Sequence, residues 1–182
     1  MRKIILVLVA VGLLGLWTVE SVDAADTATI TVTVTCRSLG VTVSPLTWPL
    51  GVVNVNSINV SSAFTVTNTG NAQQDFQLNA SVSAAWTIGA APGSEVFRMS
   101  AIFGDATPPP VEGDFAAEDN LTTSAVTATA TVFAITLEAD TIKGFDVAAA
   151  TTRNLWLRFQ APTLTTATVQ QSITVTITAI AG

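Results

Sequence analysis

Ser172-Ile173-Thr174-Val175-Thr176-Ile177-Thr178-Ala179, near the end of the chain, alternates without a break between a small polar and an apolar side chain. Successive side chains of an extended strand point to opposite faces, so Ile173, Val175, Ile177 and Ala179 share one face while the hydroxyls take the other. A helix would need apolar residues both three and four apart, and no two here stand three apart. β-Branched residues also lose rotamer freedom in a helix and pack well on a pleated surface. The same device stands near the start as Thr29-Ile30-Thr31-Val32-Thr33-Val34-Thr35-Cys36. That stretch predicts a strand with Ile30, Val32, Val34 and Cys36 turned inward.

Between these ends the pattern predicts further strands near 41–44, 50–55, 62–68, 74–83, 95–103, 130–138 and 154–160. Their inward positions include Phe64 and Val66, then Phe76, Leu78, Ala80 and Val82, then Leu155, Leu157 and Phe159, joined at the end by Val175 and Ile177. Asn68-Thr69-Gly70-Asn71 reads as a tight reversal using the positive φ that Asn and Gly tolerate. Gly104 to Ser124, with Pro108-Pro109-Pro110, reads as a surface loop or a crossover, because proline cannot donate to a ladder. Asp140 to Thr152 reads as a second loop. Short strands separated by turn signals, with no convincing helix, predict an all-β chain: a single β-sandwich of about 7–9 strands.

The composition narrows the function. The chain has 182 residues, 49% hydrophobic and 11% charged, a formal net charge of −6 and no His. Its mean hydropathy is +0.54. So apolar a chain is not a disordered acidic tail. Few basic residues and a negative balance argue against a nucleic-acid partner. Without His the commonest general base and the commonest metal ligand are missing. One Cys makes neither an internal disulfide nor a thiolate zinc site.

Met1-Arg2-Lys3, the apolar run Ile4 to Trp17 and the small-residue site Val22-Asp23-Ala24 read as an export signal. The apolar run falls short of the about 20 residues of a membrane-spanning helix. The expectation is a signal peptide at 1–24 and one domain at 25–182 without a membrane span. Its destination would be the cell surface or exterior, with the periplasm as the alternative.

The segment from Val41 to Ala80 contains Val41-Thr42-Val43-Ser44-Pro45, then Trp48-Pro49-Leu50-Gly51, then Phe64-Thr65-Val66-Thr67-Asn68-Thr69-Gly70-Asn71. It resembles the immunoglobulin-like sandwiches of the ASH/HYDIN type, in which a strand ending in a similar turn follows an aromatic-Gly element. Here Pro49 and Leu50 stand between Trp48 and Gly51. The resemblance implies an immunoglobulin-like fold and a secreted or surface habitat, and carries over no catalytic or binding residue.

Few residues stand out as candidates for chemistry. Asn154, Trp156 and Arg158 take the parity opposite Leu155, Leu157 and Phe159, leaving a large aromatic beside a guanidinium. Trp and Arg are favoured at binding hot spots, and Trp stacks on sugars. The competing reading has loops covering Trp156, with Arg158 stacked as a lid. Asp105, Glu112, Asp114, Glu118 and Asp119 share one loop, where carboxylates could hold Ca²⁺. Their spacing lacks the calcium-loop pattern, and a solvated loop explains them as well. Nothing places two of them across a sugar-binding cleft as a glycosidase pair. Lys143, in Ile142-Lys143-Gly144, would have to serve any Ser–Lys arrangement. The expectation is therefore no enzyme, no metal and no cofactor.

Cys36 reads as a core residue by its parity, with pairing between molecules as the alternative. The function expected is a structural or adhesive surface component, associating with itself or with other proteins through strand edges and loops. Ile30, Val32 and Val34 are candidates for a donor strand that completes a neighbour's sheet. A carbohydrate- or ligand-binding module is the alternative.

Overall fold

A computed structural model describes residues 28–105, 107–135 and 138–182. The expected signal peptide, 1–24, lies outside the described residues. The strands in chain order are β1 (Val41–Ser44), β2 (Ile58–Val60), β3 (Phe64–Asn68), β4 (Gln74–Ala80), β5 (Thr87–Ile88), β6 (Val96–Gly104), β7 (Val126–Thr127), β8 (Thr152–Gln160) and β9 (Val175–Ala181). One sheet has the order β1-β3-β8-β6-β5, with β2 also on β8, and the other has the order β7-β4-β9. Three short 3-10 turns, at Glu112–Asp114, Ala117–Asp119 and Asp140–Ile142, are the helical elements among the described residues. The described residues are mostly β, in two sheets with almost no helix, as the alternation predicts.

β8 is the hub of the larger sheet. Along one edge it pairs with β6, from Asn154↔Gly104 to Gln160↔Arg98. Its other edge is shared by β3, at Thr152 to Leu155, and by β2, at Arg158 to Gln160. Ser61 closes the break between those two partners. Its N–H donates to the Leu157 carbonyl at 2.9 Å, and its buried Oγ accepts from the Leu157 N–H at 2.9 Å. A side chain thus completes the ladder where no backbone group is in reach.

The two sheets enclose one core. Phe64 and Val66 of β3, Phe97, Met99 and Phe103 of β6 and Leu155, Leu157 and Phe159 of β8 meet Phe76, Leu78 and Ala80 of β4. The Phe76 and Phe103 rings stack across it at 5.8 Å between centroids. Each large side chain so buried contributes about 1.5–3 kcal/mol.

The strand boundaries depart from expectation in several places. Residues 28–40 carry no strand, and 50–55 form none; the strand in that region is β2, further along. The segment 130–135 makes only a bridge, Phe103↔Ala134, because the buried Phe133 takes φ 57°, a left-handed backbone that cannot continue a ladder. β4 ends at Ala80, leaving Val82 exposed, and Val175 and Ile177 are half-buried rather than enclosed.

The turn after β3 needs no positive φ. The Asn68 Oδ1 accepts from the Gly70 N–H at 2.8 Å, a side-chain-capped turn, while its Nδ2 donates to the Ala72 and Val147 carbonyls. Gly70 is required for another reason: a Cβ there would collide with the Ser38 carbonyl oxygen.

Candidate functional site

Asn154, Trp156 and Arg158 do share the outer face of β8, but the loop after β6 covers it. Trp156 is 5% and Arg158 4% exposed; Asn154 is half-buried. Trp156 packs with Ile102 and Phe115 in a second small core, next to Val60, Ala63 and Ile135. The Arg158 guanidinium lies 5.1 Å above the Phe115 ring. Its Nη1 donates to the carbonyls of Glu112 at 3.0 Å and Phe115 at 3.3 Å, and its Nη2 donates to Ser100 Oγ at 3.0 Å. Burial pulls its pKa down from the ordinary guanidinium value. The pair therefore clamps a loop onto the sheet, with no open platform for a sugar. The signal for this was in the sequence: Phe115, the one aromatic between Gly104 and Ser124, supplies the cover.

Two of the acidic residues of that loop, Asp114 and Asp119, are occupied with backbone amides. Asp114 Oδ2 accepts from the Val111 N–H at 2.7 Å. Asp119 is fully buried, and its two oxygens accept from the N–H groups of Ala116 at 2.8 Å and Ala134 at 3.2 Å. Burial pushes the Asp119 carboxyl up to about 6 against the pull of these donors. Among the described residues no three His, Cys, Asp or Glu side chains gather as a metal would require. Lys143 lies in the loop before β8 but is buried, and its Nζ donates to the Ala130 carbonyl at 3.0 Å.

The feature that sequence reasoning missed is a groove of about 1110 Å³ opening into the core between the sheets. Its floor is the inner face of the larger sheet, with Phe64, Leu155, Leu157 and Phe159. Ile173, Val175 and Ile177 form one wall, which is why β9 stays half-buried. The Pro45–Val53 loop, with Trp48 and Leu50, forms another. No lining residue carries a charge. Trp86 stacks on Phe159 at 6.3 Å, and its Nε1 donates to Thr165 Oγ1 at 2.8 Å, so its polar atom is already satisfied. The signal in the sequence was the apolar content of 46–53, a stretch that Pro49 and Gly51 interrupt as a strand.

The chain divides between Thr35 and Cys36. At the start of the second unit, Asn71 holds the backbone from both sides: its Nδ2 donates to the Cys36 carbonyl at 2.9 Å and its Oδ1 accepts from the Ser38 N–H at 2.8 Å. Arg37 donates to the carbonyls of Gln73 and Gly182. Cys36 itself is exposed, which overturns its expected place in the core: parity puts a side chain inward only where the backbone joins a sheet. In the first unit, the described residues 28–35 join no sheet, and Ile30, Val32 and Val34 are 89%, 77% and 82% exposed.

No protein-family model matches the chain, and a search of curated proteins gives no match. Among the described residues no helix is long and apolar enough to cross a membrane.

Proposed function

We propose that this protein is an exported structural subunit of a cell surface, an immunoglobulin-like β-sandwich that works by associating with protein, copies of itself included. Its mechanism is burial of apolar surface and strand pairing, with no catalytic centre. The observation that carries this reading is the uncharged groove that opens the core between the sheets. Its lining is mostly apolar and leads directly onto the core, and apolar surface left open to water beside a sheet edge is a candidate site of association. The groove lies slightly above the about 300–1,000 Å³ of small-molecule pockets, and its polar side chains, Thr165, Gln170, Gln171 and Ser172 among them, carry no charge. Export is supported by the basic start, the apolar run and the small-residue site within residues 1–24, and the surface is the destination we assign.

Two tryptophans on the groove, Trp48 and Trp86, favour a second reading, a glycan-binding module. The two separate in one comparison. Purified protein is followed by sedimentation and electron microscopy across a concentration series, and in parallel against immobilised glycans. Regular assemblies whose size grows with concentration support the structural subunit. A persistent monomer that retains glycans overturns it in favour of the module.

A further inference from the structure

Resting on the structural-subunit reading, we infer that the groove is the acceptor for a β-strand supplied by residues 29–35 of a second copy of this chain. Three observations converge on that occupant. The wall of the groove presents Ile173, Val175 and Ile177 at two-residue intervals, and the segment presents Ile30, Val32 and Val34 at the same intervals. At about 3.3 Å of rise per residue both series span about 13 Å, so the incoming side chains fall in register with those of the wall. Those three side chains are the most regular series of exposed apolar groups among the described residues.

Charge is the second observation. The groove has no charged lining residue, and no charged residue stands between Ala28 and Cys36, so docking desolvates no ion. The third is an edge. β9 pairs through one side with β4, from Gln74↔Ala181 to Ala80↔Val175, and the described residues form no ladder on its other side. An added strand would take its hydrogen bonds from that edge, drop Ile30, Val32 and Val34 onto Leu155, Leu157 and Phe159, and turn Thr29, Thr31, Thr33 and Thr35 to solvent. The donor segment and the acceptor groove are different surfaces of one chain. The contact is therefore head-to-tail, and repeated copies grow as a filament or close as a ring.

The test uses the purified exported protein and variants that separate donor from acceptor. Val32→Asp puts a charge on the inward face of the donor and leaves the groove intact; Thr31→Asp puts it on the outward face. Val175→Asp spoils the groove and leaves the donor intact. Wild type and Thr31→Asp should assemble alike, whereas Val32→Asp should weaken assembly by about 100-fold or more. Val32→Asp mixed with Val175→Asp should give one-to-one dimers, since one supplies a groove and the other a strand. In case Val175→Asp does not fold, a synthetic peptide of residues 28–35 added to Val32→Asp protein should raise its melting temperature and slow amide exchange along Val175–Ala181. Assembly that persists in Val32→Asp overturns the strand exchange and leaves the structural-subunit reading standing. Wild type that never assembles overturns that reading itself. A monomer whose amides at 29–35 are protected shows the strand closing its own sheet, and the exchange between copies is then wrong.

Discussion

Two segments of this protein are written in the same alphabet and end differently. Ser172 to Ala179 and Thr29 to Cys36 both alternate hydroxyl and β-branched side chains. The first supplies most of β9, held along its length by β4, with Leu78 opposite Ile177 and Phe76 opposite Ala179. The second joins no ladder, and its apolar side chains stand in water. Alternation is competence for a sheet with one apolar face. Whether the competence is used depends on a free edge and an apolar surface being in reach, and those are properties of other segments.

The strongest way to break the comparison is at the partner that makes β9 a strand. Leu78→Ala should destabilise the fold by about 2–5 kcal/mol, since the side chain is fully buried beneath β9. Val32→Ala, measured by urea denaturation at a dilution where only monomer is present, should stay within about 0.5 kcal/mol. Equal losses would show that the two alternating segments are packed alike. Asn68→Ala comes next, at about 2–3 kcal/mol. It strips the Ala72 carbonyl and the Gly70 N–H of their side-chain partner and leaves the Val147 carbonyl with the Gln74 N–H, in the turn that leads into β4. Ile177→Ala should cost about 1–2 kcal/mol, less than Leu78→Ala because the groove leaves Ile177 half-exposed. A cost as large as that of Leu78→Ala would mean that the groove is filled in the isolated molecule.

A pH titration separates the ladder strands from the loop that covers the opposite face of β8. The folded Asp119 carboxyl holds its proton up to about 6, whereas in the unfolded chain it releases it near 3.8. Between those values the native state binds more protons, so this contribution to stability is fully present at low pH and is lost as pH rises through about 6. Asp119→Asn should abolish that slope, at the cost of one of the two backbone hydrogen bonds. If the slope survives, another group is responsible. The smallest effect is a labelling rate. Cys36 should react with a thiol reagent in the native monomer as fast as in the unfolded chain, because its side chain is exposed. Protection in the assembled form would place the segment in a sheet.

Much of the fold was legible residue by residue. The register of Phe64 and Val66, of Phe76, Leu78 and Ala80, and of Leu155, Leu157 and Phe159 follows from period two, since one face of each strand meets a core. Periodicity could not show that Trp156 and Arg158 are buried too. Their cover comes from Phe115, brought over the sheet by a loop whose path depends on where β6 ends and β8 lies. Phe133 was read as part of a strand because its neighbours are apolar. It takes a left-handed backbone, φ 57°, while fully buried, and no local pattern announces that.

Sequence alone settled which stretches can be strands and which face of each is apolar, because side-chain alternation is a property of the local backbone. It settled the chemistry that is missing as well, since no arrangement in space can restore a His or pair a single Cys within the chain. Tertiary structure decided the rest. It determined which of two nearly identical alternating segments found a partner edge and which face of β8 became a second core. It also determined that the sheets part far enough beside β9 to leave a groove. Each of these depends on residues far apart in the chain meeting in one place, and a pattern of neighbours carries no record of such meetings.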